Sequence, residues 1–178
     1  HVPCNTCHYC LSGHHSVCET LLRKTHFDPG GFVEYVRLPA INVDRGVFLL
    51  PDEVSFEEGS FTEPLACALR GQRMVRMPPG HSVLVVGSGI SGLLHVAVAR
   101  TLGAGHVVAA DTIDFRLNMA QKFGADAAVN AEELPDSLRQ VNDGRLADLV
   151  VLCRGAWLAL ALRSVDLGGT VLFVAAVR

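Results

Sequence analysis

Four apolar residues, Val83–Val86, run directly into Gly87-Ser88-Gly89-Ile90-Ser91-Gly92, and an apolar, helix-compatible run, Leu93–Leu102, follows and stops at Gly103. A strand, a G-x-G-x-x-G turn and a helix in that order predict the opening of a β-α-β unit that holds a dinucleotide. Each glycine has a physical task. Gly87 permits the tight turn off the strand, Gly89 lacks the Cβ that would keep a pyrophosphate off the backbone, and Gly92 lets the helix lie close on the sheet. The free N–H groups and positive dipole end near Ile90 and Ser91 are then expected to face phosphates. A glycine turn of purely structural use is the competing reading. Against it stands Asp111, which closes the next strand-like run, Val107–Ala110, nineteen positions after Gly92. That is where a carboxylate meets an adenosine ribose, and it favours NAD by repelling a 2′-phosphate. Arg116, five residues on, is expected to pack along the adenosine or to pair with Asp111, with a solvated helix face as the alternative.

Beyond this unit the alternation continues. Ala127–Val129, Leu149–Leu152 and Val171–Val174 are short apolar runs, as parallel strands buried on both faces require. Between the second and third strands, Phe115, Met119, Ala120 and Phe123 share one helical face closed by Gly124. Pro135–Val141 reads as a polar helix and Trp157–Val165 as a short apolar one. Five such units predict an α/β fold with a doubly wound parallel sheet over residues 79–178, entered through Met77-Pro78-Pro79-Gly80. The strand ends Leu152-Cys153-Arg154-Gly155 and Val174-Ala175-Ala176 are expected to line the crevice at the carboxyl edge, with Cys153 as a wall residue rather than a nucleophile. A further strand is expected past Arg178, and the start at His1 without Met suggests a piece lacking both ends.

Cys4, Cys7, Cys10 and Cys18 have the spacing C-x2-C-x2-C-x7-C, which suits four thiolates around one structural Zn²⁺. The ferredoxin-type closing C-x3-C-P is missing, and a pair of disulfides is the bland alternative. His8, His14 and His15 are read as exposed polar residues. Val33–Leu50 reads as short strands of an irregular antiparallel barrel. Glu63 stands before Pro64 where a helix starts, a position that the macrodipole alone would favour. Cys67, one turn on, is expected to be a small buried helix residue, although it could lie near a nicotinamide.

Taken together, the cysteine spacing, Gly30-Gly31-Phe32-Val33-Glu34-Tyr35-Val36, Leu50–Gly59, Thr62-Glu63-Pro64-Leu65-Ala66 and the glycine fingerprint resemble the zinc-containing medium-chain dehydrogenase/reductase family over essentially the whole chain. Asn5 departs from the glycine common after the first cysteine, and asparagine tolerates the left-handed geometry needed there. The resemblance implies part of a GroES-like catalytic domain with a zinc lobe over residues 1–78, and a Rossmann domain over 79–178. It implies that Glu63 serves a catalytic zinc, whose other ligands would lie upstream of His1. It further implies hydride transfer from a secondary alcohol or polyol to NAD by a homodimer or homotetramer. A nucleotide-binding sensor, or a zinc-free reductase keeping only the structural zinc, is the alternative.

Composition narrows the partners. Net charge is −3, with 15 basic and 18 acidic residues and no basic stripe, which disfavours nucleic acid. No apolar run is long enough to cross a membrane, and no leader pattern opens the chain, so a cytoplasmic protein acting on a small molecule is expected.

Overall fold

The structure, a computed structural model, describes residues 1–174. The chain forms two compact units, His1–Ser55 and Phe56–Arg178.

The first unit is built from short pieces: α1 (His8–Leu11), α2 (Glu19–Arg23) and α3 (Ala40–Gly46). The strands expected over Val33–Leu50 are not formed. One antiparallel bridge joins Asp28 to Arg37, whose side chains also pair at 2.9 Å. After it the chain turns helical, because Pro39 ends an extended stretch and its carbonyl accepts the N–H groups of Asn42 and Val43. The buried Asn42 anchors this helix by donating from Nδ2 to the Thr25 carbonyl at 3.0 Å. A buried asparagine at the centre of the segment defeats the two-residue alternation that a strand reading needs.

The second unit opens with α4 (Phe56–Gly59) and α5 (Thr62–Val75). Strands and helices then alternate: β1 (Ser82–Val86), α6 (Ile90–Thr101), β2 (His106–Asp111), α7 (Asp114–Lys122), β3 (Ala127–Asn130), α8 (Asp136–Val141), β4 (Ala147–Leu152), α9 (Leu158–Ser164) and β5 (Val165–Phe173). All five strands are parallel, in the order β3-β2-β1-β4-β5. The winding reverses between β1 and β4, which makes their carboxyl ends the switch point of the sheet.

Side-chain alternation explains the two layers. Leu84, Val86, Val108 and Val150 point to one face and pack with Leu138 of α8 and Ala161 of α9. Val83, Val85, Val107 and Val151 point to the other and pack with Val96 of α6 and Ala120 of α7. Both faces are buried at the central strands β1, β2 and β4, which are apolar nearly throughout, whereas β5 at the sheet edge is mostly exposed. At the amino edge, Asp148 binds β4 to β1: its Oδ2 accepts the N–H and hydroxyl of Ser82, both at 2.8 Å.

Helix α5 precedes the expected boundary at residue 78 and packs within this second unit, Ala68 lying against Leu94 and Val98 of α6. The expected face of α7 is buried only in part. Ala120 is fully enclosed, whereas Phe115 is 71% exposed and Phe123 40%. A small residue lets this helix sit close to the sheet, and the two rings flank the contact instead of filling it.

Candidate dinucleotide cleft and metal centre

The turn after β1 is fixed by the geometry the glycines supply. Gly87 has φ +99°, a left-handed value, and its N–H donates to the Ala110 carbonyl at 2.8 Å. A Cβ on Gly92 would lie 1.9 Å from the Gly87 carbonyl oxygen, so the first turn of α6 closes onto β1 only with glycine there. Gly89 is different. Its φ of −70° suits any residue, and a Cβ on it would meet no protein atom within 4 Å. Nothing in the protein requires glycine at this position.

Over this turn lies a cleft of about 280 Å³, lined by Gly89, Ile90, Ser91, Asp111, Arg116 and Cys153 among others. Asp111, at the end of β2, is buried. Its Oδ2 accepts the Ser88 N–H at 2.8 Å, and its Oδ1 accepts those of Thr112 at 2.8 Å and Ile113 at 3.1 Å. Arg116 sits 3.6 Å from the same carboxylate. Asp111 thus binds the glycine turn to the loop after β2 as well as facing the cleft. Cys153 stands against the start of α6, with the Ser91 hydroxyl 3.8 Å from its sulfur. Burial pushes its thiol up to about 11, so it is a neutral wall group at ordinary pH.

Other expected positions lie elsewhere. Val174 donates its N–H to the Leu152 carbonyl at 3.1 Å and does not line the cleft. Ala175 falls outside the described residues. Glu63 is exposed near the start of α5, and its Oε1 accepts from Cys67 at 3.2 Å. Cys67 is exposed rather than buried, because its side of α5 faces away from the α6 contact made by Ala68. The Glu63 carboxylate beside it raises the Cys67 thiol above its usual range. Arg154, within the strand end Leu152-Cys153-Arg154-Gly155 expected at the crevice, lines the cleft beside Cys153, although the sequence reading gave it no role of its own.

In the first unit Cys4, Cys7, Cys10 and Cys18 converge, with all four sulfurs within 4.8 Å of one another. Cys7 and Cys10 are 3.5 Å apart, Cys4 and Cys18 3.6 Å, and Cys4 and Cys10 3.9 Å. A tetrahedron with Zn–S near 2.3 Å requires S···S of about 3.8 Å. The observed spacings bracket that value and exceed a disulfide's ~2.05 Å, so the four thiols fit a metal and are not bridged. The Thr6 hydroxyl, then the N–H groups of Thr6 and Cys7, hold the Cys4 thiol down to about 5. Burial, foremost, pushes Cys10 up to about 12 in the absence of a cation. Among the described residues this is the one group of three or more such ligands, and Glu63 is not part of it.

Known proteins agree with these features. Residues 91–178 match the family described as "Zinc-binding dehydrogenase". The chain is 36% identical over 162 residues to "Probable D-xylulose reductase A" of Aspergillus clavatus, covering 87% of this chain and 44% of that protein. It is 30% identical over 178 residues to "Sorbitol dehydrogenase" of Bacillus subtilis, covering 97% and 49%. The solved alcohol dehydrogenase TADH from Thermus sp. ATN1 superposes with a TM-score of 0.82 at 32% identity, covering 98% of this chain and 54% of that one. The chain spans about half the length of the curated relatives it matches. With a doubly wound sheet behind a glycine turn and a four-thiol lobe preceding it, the chain belongs to the zinc-binding dehydrogenase family.

Proposed function

We propose that the protein is an NAD-dependent, zinc-assisted dehydrogenase that oxidises a secondary alcohol or polyol, and that residues 79–178 supply its dinucleotide site. The observation that supports this most is Gly89. The protein does not need glycine there, and the space its absent side chain leaves opens into the cleft over the α6 N-terminus. A pyrophosphate lying on that backbone accounts for both facts.

When bound, the nicotinamide supplies the redox chemistry and a catalytic zinc supplies Lewis acidity. The chain's own residues take the remaining tasks. N–H groups near Ile90 and Ser91 bind phosphate. Asp111, positioned by three N–H groups, presents a carboxylate that accepts a hydrogen bond from a ribose hydroxyl and repels a 2′-phosphate. Cys153 keeps the wall neutral, and the family resemblance is the support for assigning Ala175 to the cofactor. Cys4, Cys7, Cys10 and Cys18 hold a structural zinc that leaves no open position. Glu63 serves the catalytic zinc; the support for this role is the family resemblance of Thr62-Glu63-Pro64-Leu65. The same resemblance supports a homodimer or homotetramer.

The competing reading is a dinucleotide-binding sensor, and it draws on the closed four-thiol group being the only metal-capable cluster among the described residues. The experiment is NAD binding by calorimetry together with NADH formation at 340 nm across secondary alcohols and polyols. Binding with alcohol-dependent reduction is the expected result. Binding without turnover by the full-length protein supports the sensor, and no binding of either dinucleotide overturns both.

A further inference from the structure

Two cations line the dinucleotide cleft, and they differ in what already engages them. Arg116 lies 3.6 Å from Asp111. Arg154 has no carboxylate partner among the described residues. Its guanidinium carbon sits 4.4 Å from the centroid of the Trp157 ring, and the turn joining the two is closed by the Trp157 N–H on the Arg154 carbonyl at 3.0 Å. Trp157 in turn packs on the apolar core beneath β1 and β4, so the platform is fixed. Stacking uses a face of the guanidinium plane. It leaves the five N–H donors, which lie in that plane, free for an acceptor.

The position gives this meaning. Arg154 stands two residues past the end of β4 and lies beside Gly87, the residue after β1, where a Cβ on Gly87 would come within 3.2 Å of the Arg154 Cβ. These two strands flank the switch point, where ligands enter sheets of this kind. The cleft already holds the positive end of α6, so an anion placed between that end and the solvent-exposed Arg154 is attracted by both.

We propose that Arg154 is the side-chain clamp for the cofactor's diphosphate, its in-plane N–H groups pairing with phosphate oxygens while Trp157 holds the plane. This rests on the cleft being a dinucleotide site and adds to it a residue and the group that residue recognises. It also predicts that Trp157, the chain's single tryptophan, reports on binding.

The test titrates the full chain with ADP-ribose, which contains the diphosphate, and with adenosine, which lacks it. Calorimetry and Trp157 fluorescence give the readouts. Arg154→Gln is expected to weaken ADP-ribose by roughly ten- to a hundredfold, the range for a charge-assisted hydrogen-bonded pair. Adenosine binding and the melting temperature should not change, because the side chain is exposed. Arg154→Lys, which keeps the charge but not the fork, should recover only part of the loss. Unchanged ADP-ribose affinity in Arg154→Gln overturns the proposal while the cleft reading stands. Equal loss for adenosine also overturns it, since the guanidinium would then be stacking on the base. A wild-type chain that binds neither ligand overturns the cleft reading and this proposal with it.

Discussion

Two glycines of the turn and the aspartate bonded to it answer to different masters, and point substitutions can separate them. Gly92 answers to the protein. Gly92→Ala places a carbon 1.9 Å from the Gly87 carbonyl oxygen, a contact only backbone movement relieves, so thermal stability should fall by several degrees even without ligand. Gly89 answers to the ligand. Gly89→Val should melt within about a degree of wild type, since its φ is ordinary and its Cβ meets nothing, yet lose NAD and NADP together. A Gly89→Val protein that binds either dinucleotide at wild-type strength would remove the pyrophosphate from this turn. Asp111 answers to both. Asp111→Ser should weaken NAD and strengthen NADP, each by roughly 5- to 150-fold, because it removes a hydroxyl acceptor and a like charge. The structure adds a cost that the sequence did not reveal. Ser88, Thr112 and Ile113 lose their acceptor, so the same variant should also lose about 1–3 kcal/mol of stability without any ligand. Denaturant melts of the ligand-free variant check that figure, and an unchanged midpoint would return Asp111 to a purely ligand-binding role.

At the scale of elements, the contact of α5 with α6 holds a titratable group that neither sequence pattern nor chemistry singles out. His95 is fully buried, and Gln72 donates from Nε2 to its carbonyl at 2.8 Å and to its Nδ1 at 3.0 Å. An accepting Nδ1 places the ring proton on Nε2, which has no partner among the described residues. Burial therefore lowers the His95 pKa from 6.5 to about 4. The unfolded chain binds a proton between those values and the native one does not, so stability is full above pH 6.5 and declines as pH falls toward 4. The loss is about 1.4 kcal/mol for each pH unit in that window. Urea melts followed by Trp157 at pH 7 and pH 5 should show the decline in wild type and a shallower one in His95→Asn; parallel slopes would assign the acid loss to other groups. The central strands β1, β2 and β4 were legible because burial on both faces makes each run apolar, whereas the mostly exposed first half of β5, with Gly168 and Gly169, gave no such signal. The helices were legible where glycine closes them. Helix α7 was legible from the spacing of Phe115, Met119, Ala120 and Phe123, but that spacing does not say which of them is enclosed, and only Ala120 is. Cys67 was misread as buried, being a small residue on the uncovered side of α5. Arg154 was legible as part of the crevice but not as a cation in its own right, because its stacking on Trp157 is a tertiary contact that local spacing does not encode. The first unit was the least legible, since Val33–Leu50 has strand-like residues but is fixed by the single buried Asn42.

Across the whole molecule the two units are stabilised by different physics. The second has apolar layers on both faces of its sheet. In the first, the residues described as buried are Cys10, Cys18, Thr25 and Asn42. Two of those four are thiols of the candidate metal centre, so the interior of this unit is largely the metal site itself. Burial on that scale does not offset the ordering of the chain around it, and metal binding then becomes the folding free energy of the lobe. The four-thiol lobe should hold one zinc per chain, and Cys10→Ser should lose that one zinc. A strong chelator should unfold residues 1–55 selectively: protease cleavage there should accelerate by orders of magnitude, while peptides from β1 to β5 stay protected and Trp157 fluorescence holds. Restored zinc should reverse the change under reducing conditions. The cysteine variant should behave like the chelated wild type at every zinc concentration short of excess, which separates loss of the ligand set from general damage by the chelator. Equal protection of the lobe with and without metal would show that its short helices and the Asn42 anchor suffice. Iron–sulfur absorption in the purified chain would replace zinc with a cluster on the same four thiolates.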